Sequence, residues 1–300
     1  MQYQIVTVAA DAGSQLEQLG TKAKFWFRAA DGTRTLFKEG YPGSGEHWAE
    51  KLACEVARGL GLPHADYELA VWNQRPGVVS PTIVPTGGRL IHGNELLART
   101  HSGYDEKAVY RSSQHALSRV IAVLRSPEVG PPLGWCCPVA VGGASGVFVG
   151  YLLLDALIGN QDRHHQNWGL VKVPGGRLTL APTFDHASSL GRNESDAARS
   201  ERLATRDKGR DLAAYVRRAR SGLYENKAST KPMTTFDAYC RAAAWHPDAA
   251  EYWRTRLGAF GPEALAAIVQ ALPEFIATET AKRFALQVML ENRTRLLESE

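Results

Sequence analysis

Short stretches of alternating hydrophobic and polar positions fill most of the first 85 or so residues, and turn residues separate them. Aromatic and β-branched residues are frequent in these stretches, which is typical of β-strands. Asp31 and Gly32, between two of them, are a strong hairpin-turn signal. The pattern predicts strands over residues 1–9, 24–28, 35–38, 71–72 and 77–84.

One segment among these strands has helical spacing instead. It begins near Glu46 and is expected to end at Gly59, because Gly61 and Pro63 interrupt a helix there. Its apolar positions recur every four residues, at Trp48, Leu52, Val56 and Leu60.

Beyond a Pro- and Gly-rich linker at residues 85–88, helical spacing dominates. It predicts helices over residues 94–98, 107–124, 145–158, 211–220, 235–244, 249–257, 262–272 and 278–297. Two short strands, 170–173 and 178–180, flank a predicted hairpin loop. The pattern therefore predicts an α+β protein with a small strand-rich lobe (1–86) and a mainly helical lobe (87–300).

Composition places the chain among ordinary globular proteins. It has 300 residues, of which 44% are hydrophobic and 22% charged. No apolar run approaches the roughly 18 residues that span a bilayer, and no basic residue precedes the short apolar patch at the N-terminus. We therefore expect a cytoplasmic protein without a membrane span.

Neither the cysteines nor the net charge indicates a particular chemistry. The four cysteines show no zinc-site spacing and no disulfide framework. The net charge of +4 permits an anionic ligand, and the locally basic segment 191–231 is interpreted as a solvated helical face. Direct nucleic-acid binding is not expected.

Residue types suited to phosphoryl transfer follow the apolar run at 151–158. Asp162 is followed five positions later by Asn167, and Asp185 comes after the predicted hairpin. Phosphoryl transfer needs a cation for the phosphates, oxygen ligands for Mg²⁺, and a carboxylate that orients and deprotonates the attacking hydroxyl. Asp162 can act as the base, while Asn167 and Asp185 can hold Mg²⁺. The same order is found in the catalytic loop and metal-binding Asp of protein kinases.

The first lobe offers the matching cation. Lys38 ends a predicted strand, and Glu50 on the following helix could pair with it and fix its position. Glu46 and Glu55 are competing partners on the same helix.

Residues 5–295 resemble the HipA-like serine/threonine kinases, in particular short forms that lack an extra N-terminal subdomain. The resemblance is carried by GTKAKFW at 20–26, LFKEG at 36–40, the segment 50–62, HGNE at 92–95, GNQDRH at 159–164 with Asn167, and LAP at 180–182 with Phe184 and Asp185.

The resemblance implies a bilobal protein-kinase-like fold with ATP in the cleft between the lobes. It assigns Asp162 as the catalytic base and Asn167 and Asp185 as Mg²⁺ ligands. Lys38 would contact the α- and β-phosphates and Glu50 would hold Lys38. His164 is expected to brace this nucleotide site by hydrogen bonds.

The same resemblance places Gly20, Thr21 and Lys22 in or beside the loop that covers the phosphates. It further implies autophosphorylation on a serine of that loop, for which Ser14 is the nearest candidate. The expected substrate is a protein with a Ser or Thr hydroxyl, and an antitoxin or other regulatory partner would fit a toxin role.

The sequence departs from ordinary protein kinases at two points. His186 stands where a Gly follows the metal-binding Asp, and the chain has no Gly-x-Gly-x-x-Gly loop. Three alternatives stay open: a phosphoinositide-type lipid kinase, a catalytically silent binding module, and a metal-dependent hydrolase. The hydrolase would use Asp162, His165, Asp185 and His186.

Overall fold

The alternating segments at the start of the chain form one five-stranded sheet. The computed structural model describes residues 2–13, 23–108, 110 and 112–298. The sheet has the order β1-β4-β5-β3-β2; β1 and β4 run parallel and the other neighbours antiparallel. Its strands are β1 (Ile5–Val8), β2 (Lys24–Arg28), β3 (Arg34–Glu39), β4 (Glu68–Trp72) and β5 (Arg75–Pro81). The predicted strands are thus confirmed, with shifts of a few residues at their ends.

The predicted hairpin turn connects β2 and β3. Gly32 has a φ of 82°, and Lys24 pairs with Lys38 at the far end of the ladder. A left-handed backbone is readily adopted by glycine because it has no Cβ. Because the turn sets the register of the two strands, Lys38 lies opposite Lys24 at the end of the hairpin.

Helix α1 (Glu46–Leu60) lies between this sheet and the rest of the chain. It ends at Gly61, whose φ is 76° and whose N–H bonds the carbonyls of Ala57 and Arg58. Trp48, Leu52 and their apolar neighbours on α1 belong to the large hydrophobic core that continues into the helical part. The helix is thus held from both sides.

Nine further helices occupy the described residues beyond the first sheet. The most central is α4, in which every residue is buried and which packs against α7, α8 and α10. The helices are α2 (Gly93–Thr100), α3 (Leu117–Leu124), α4 (Ala144–Ile158), α5 (Asp196–Ala204), α6 (Leu212–Arg217), α7 (Thr235–Trp245), α8 (Pro247–Ala259), α9 (Pro262–Gln270) and α10 (Glu279–Glu298). Short 3-10 helices lie at Ala10–Gly13 and Val139–Val141.

A second, four-stranded sheet lies beside these helices. Its order is β6-β8-β9-β7, formed by β6 (Arg89–His92), β7 (Val129–Gly130), β8 (Gly169–Lys172) and β9 (Leu178–Leu180). The β8–β9 hairpin was predicted, whereas β6, β7 and helix α5 were not. This hairpin separates the loop that contains Asp162 from the segment that contains Asp185.

The predicted helix over residues 107–124 is wrong in its first half. Among the described residues of that range, only Leu117–Leu124 is helical. Asp105 caps a turn by accepting the N–H groups of Lys107 and Ala108, and Ala116 pairs as an isolated bridge with Tyr224. The backbone groups of Lys107, Ala108 and Ala116 therefore make hydrogen bonds or bridges that are not part of a helix.

The strands and helices together confirm the α+β class. In the described part of the chain, no helix is long and apolar enough to cross a membrane.

Candidate active site

A cavity of about 950 Å³ lies between the first sheet and the helical part. Lys24, Trp26 and Lys38 line it from the strand side. From the other side it is lined by Asp162, His164, Asn167, Phe184, Asp185, Ser188 and Arg192. The base, the metal ligands and the cation predicted from the sequence are thus brought to one cavity.

Lys38 lies between two carboxylates. Its Nζ is 3.3 Å from Glu50 Oε2 and forms an ion pair with Asp185. The other oxygen of Glu50, which is fully buried, accepts a 2.7 Å hydrogen bond from the His186 backbone N–H. Glu50 therefore holds both the lysine and the segment that carries Asp185.

The other two glutamates of α1 have different partners. Glu46 pairs with Arg192, and Glu55 pairs with Lys51 and Arg58. Of the three glutamates considered from the sequence, Glu50 is therefore the one that the structure places against Lys38.

Burial and neighbouring charges have opposite effects on the pKa values of Asp185 and Lys38. Burial alone would raise the pKa of Asp185, but the ammonium of Lys38 lowers that pKa well below its usual range. Burial also opposes the charge on Lys38, yet Asp185 and Glu50 raise the pKa of Lys38 well above normal. Both groups are charged at neutral pH.

The backbone at Asp185 is unusual. Its φ is 59°, in the left-handed region that a non-glycine residue rarely adopts. The Asp185 N–H donates to the Tyr67 hydroxyl at 3.4 Å, and the following His186 ring lies 2.7 Å from Thr183 Oγ1. The segment is therefore fixed on both sides of the carboxylate, and His186 is a buried anchor at the position of the usual glycine.

A buried ion pair forms the base of the loop that carries Asp162. Arg163 is fully buried and donates two 2.7 Å hydrogen bonds to Asp155 of α4. It also donates to the Asn167 carbonyl at 2.6 Å and to Thr183 Oγ1 at 3.0 Å. One guanidinium thus joins α4, the loop and the strand end before Asp185.

Asp162 lies at the edge of the cavity with about a quarter of its side chain exposed. Burial and, to a smaller extent, the negative charge of Asp185 raise the pKa of Asp162 to about 6. Ser188 Oγ approaches its carboxylate at 3.5 Å. A carboxylate with such a raised pKa accepts a proton more readily than an exposed Asp does.

Asn167 is oriented by the same loop. Its Nδ2 donates to the Asp162 carbonyl at 2.7 Å. With the amide nitrogen engaged, the amide oxygen is the atom available for a metal. Together with the Asp185 carboxylate it forms the all-oxygen donor set that Mg²⁺ prefers beside phosphate oxygens.

His164 braces the loop. Its Nδ1 accepts the Gln166 N–H at 3.1 Å, and its Nε2 lies 3.6 Å from Asp162 Oδ1. Burial lowers the pKa of His164 to about 4, so that the ring is neutral at pH 7.

The phosphate-loop residues named from the sequence, Gly20, Thr21 and Lys22, lie outside the described residues, as does Ser14.

The alternative hydrolase ligands are not brought together. His165 Nδ1 lies 2.7 Å from the Tyr104 hydroxyl, and His186 is turned to Thr183 and Glu50. In the part of the chain that the structure describes, Asp162, His165, Asp185 and His186 form no cluster of metal-ligand atoms.

Several site residues were not identified from the sequence. Asp155 has a detectable signal, because it is the one charged residue of an otherwise apolar helix. Tyr67, Thr183, Ser188 and Arg192 have none, since their roles depend on contacts between distant segments.

A second cavity, of about 480 Å³, also has Asp162 in its lining. It is lined by Tyr110, Gln161, Asp162, Ser188, Ser189, Gly191, Arg192, Asn193, Glu194 and Tyr215. Asp162 thus faces both cavities.

No protein-family model matches the chain, and no curated protein matches it by sequence. Solved structures that are similar to it include the following two. The proinflammatory kinase CtkA of Helicobacter pylori superposes with a TM-score of 0.70 and 18% identity, over 92% of this chain and 91% of CtkA. HipA of Shewanella oneidensis MR-1, solved with HipB and operator DNA, gives a TM-score of 0.59 and 12% identity, over 95% of this chain and 67% of the HipA chain. The chain has the bilobal fold of HipA-like kinases, as its motifs predicted.

Proposed function

We propose that the protein transfers the γ-phosphoryl group of ATP to a Ser or Thr hydroxyl of a protein. The observation that carries the proposal is the ion pair of Lys38 with Glu50 and Asp185, in the cavity that also contains Asp162 and Asn167. Positioning and charge stabilisation provide most of the catalysis in phosphoryl transfer.

In this function the residues on the strand side hold the nucleotide. Lys38 contacts the α- and β-phosphates, and Glu50 keeps its ammonium in place. Asn167 and Asp185 would hold Mg²⁺, which neutralises phosphate charge when it is bound. His164 and Arg163 keep the loop between these ligands in one conformation.

Asp162 acts as the base. The acceptor hydroxyl enters from the second cavity, and its oxygen forms the new bond to the γ-phosphorus while the bond to the β–γ bridging oxygen breaks. The hydroxyl proton passes to the Asp162 carboxylate, and ADP leaves.

We extend the proposal to autophosphorylation and to a toxin role with a protein partner. The support is the likeness to HipA, which was solved together with HipB. Copurification from the native host would identify such a partner.

The test is incubation with Mg²⁺ and γ-phosphate-labelled ATP, followed by intact-mass analysis. We expect the wild type to gain phosphate and Asp162→Asn to lose at least about 100-fold in labelling rate, since a general base contributes on this scale. Asp248→Asn, an exposed residue of α8, is the control and should behave as wild type. Unmodified wild-type protein that also fails to hydrolyse ATP, or equal labelling of Asp162→Asn, would contradict the proposal.

A further inference from the structure

Three metal-ligand side chains meet at the C-terminal half of α1, away from Asp162 and Asn167. They are Cys54 on the helix and His64 and Asp66 in the segment that follows it. The thiol sulfur, an imidazole nitrogen and a carboxylate oxygen all lie within 4.8 Å of one another. Ligand atoms at this separation need only small movements to share one ion.

The ring of His64 presents a free acceptor atom. Its Nδ1 lies 2.6 Å from the Leu62 carbonyl and must therefore carry the proton. Its Nε2 is buried and has no hydrogen-bond partner. A histidine that donates one N–H to a carbonyl and directs the other nitrogen into a cluster has the arrangement of a metal ligand.

Cys54 is buried, and its sulfur accepts the Tyr67 N–H at 3.4 Å. A backbone N–H donor to the sulfur stabilises the thiolate that a bound cation would leave.

A cationic group already interacts with this cluster. Arg58 Nη2 lies 2.6 Å from Asp66 Oδ1 and 3.7 Å from Cys54 Sγ. The arginine side chain is 44% exposed, so it can turn into solvent without losing a buried position. Guanidinium and metal ion would therefore compete for the same ligands.

We propose that Cys54, His64 and Asp66 form a site for Zn²⁺ or a similar transition-metal ion, which displaces Arg58. The mixed sulfur, nitrogen and oxygen donors are those of zinc and exclude Mg²⁺ as the preferred ion. On binding, the thiol proton passes to water, and a water molecule completes four-fold coordination.

The ion would join α1 to the strand end before Asp185. His64 forms a parallel bridge with Thr183, and Tyr67 accepts the Asp185 N–H. None of the three proposed ligands lines the large cavity, so metal binding can be measured apart from phosphotransfer.

The experiment uses Co²⁺ as a spectroscopic probe of the full chain, with Cys136, Cys137 and Cys240 replaced by Ser. We expect a sulfur-to-cobalt charge-transfer band in this background and one equivalent of Zn²⁺ to abolish it. The band should disappear in Cys54→Ser, and His64→Gln should weaken Co²⁺ binding by more than the 10- to 100-fold that loss of an outer partner causes.

Arg58→Ala provides the complementary test. Removal of the competing guanidinium should tighten Co²⁺ binding about two- to fivefold, which is the scale of an exposed ion pair. Arg206→Ala, an exposed arginine elsewhere, is the matched control and should not change the affinity. Absence of the band, its persistence in Cys54→Ser, or weaker binding by Arg58→Ala would overturn the proposal. If Cys54→Ser fails to fold, Asp66→Asn on the surface replaces it and should lower the affinity.

Discussion

Single residues with two partners hold the candidate site together. Glu50 accepts the Lys38 ammonium on one oxygen and the His186 N–H on the other. The first contact needs a negative charge, whereas the second needs only an acceptor oxygen. The two roles can therefore be separated by an isosteric substitution.

Glu50→Gln should reduce kcat/KM for ATP on the order of 100-fold, because a lysine released from its partner loses its position at the phosphates. The amide oxygen can still accept the His186 N–H, so the thermal midpoint should change little. Steady-state kinetics and thermal melts measure the two effects. Glu55→Gln, on the same helix but paired with Lys51 and Arg58, is the control. An equal loss in both variants would contradict the assigned role.

His115 is buried as a neutral ring. Its Nδ1 lies 2.9 Å from the Gly222 carbonyl, and its Nε2 accepts the Trp168 indole N–H at 3.0 Å. Burial lowers the pKa of His115 to about 3. Below the unfolded pKa of about 6.5 the unfolded chain takes up a proton that the folded chain does not, so stability falls with pH until the folded pKa is reached.

His115 should therefore contribute a loss of about 1.4 kcal/mol in unfolding free energy per pH unit between about pH 6.5 and 3. Urea unfolding at about pH 7.5 and about pH 5 measures this slope. His115→Gln is expected to be less stable at the higher pH but to lose about 2 kcal/mol less between the two conditions. Equal pH dependence in both proteins would show that His115 is not the titrating group.

At the scale of elements, chain order predicted which residues meet in the large cavity better than it predicted the elements around them. Asp162, Asn167 and Asp185 were found because their spacing is local or set by one short hairpin. Helical spacing alone left Glu46, Glu50 and Glu55 open as partners of Lys38, and the family resemblance favoured Glu50; the structure contains the Lys38–Glu50 ion pair. Strand β7 has only two residues, which is too short for a periodic signal, and the region of α5 was interpreted only as part of the basic, solvated segment 191–231.

The ion pair of Asp155 with Arg163 ties α4 to the loop that carries Asp162. Asp155→Asn should destabilise the protein by about 3–5 kcal/mol, because it leaves a buried guanidinium without its counter-charge. The double variant Asp155→Leu/Arg163→Met should be less destabilised than the sum of Asp155→Leu and Arg163→Met, since no buried charge remains. Urea unfolding of the wild type, these two single variants and the double variant gives the coupling energy. Additive effects would contradict a buried, mutually dependent pair.

At the scale of the whole molecule, α1 lies between strands of the first sheet in the sequence, but its apolar side chains pack into the large hydrophobic core. Trp48, Leu52 and Leu60 share that core with Trp253 and Leu265 of the helical part. The bilobal arrangement was predictable from motifs and from the change of periodicity at residues 85–88. The close contact of α1 with the other lobe was not, because it depends on long-range packing, and one of the closest approaches is made at a glycine.

That glycine is Gly59, near the end of α1. A Cβ there would lie 2.4 Å from the Phe260 ring, well inside van der Waals contact. Alanine favours a helix over glycine by about 1 kcal/mol, whereas overpacking costs about 1–3 kcal/mol. The clash should exceed the gain in helix propensity, so Gly59→Ala should lower the unfolding free energy. Phe260→Leu in the same chain should restore part of the loss.

Gly258 in α8 is the matched control for Gly59. A Cβ at Gly258 meets only Leu297, at 4.0 Å, so Gly258→Ala should keep the stability or raise it by up to about 1 kcal/mol. If close approach between α1 and the helical lobe decides the outcome, the two glycine substitutions should change the unfolding free energy in opposite directions. Urea unfolding measures both changes. A stabilised Gly59→Ala would mean that the Phe260 ring moves aside at little cost, so that this contact does not limit how closely α1 approaches the helical lobe.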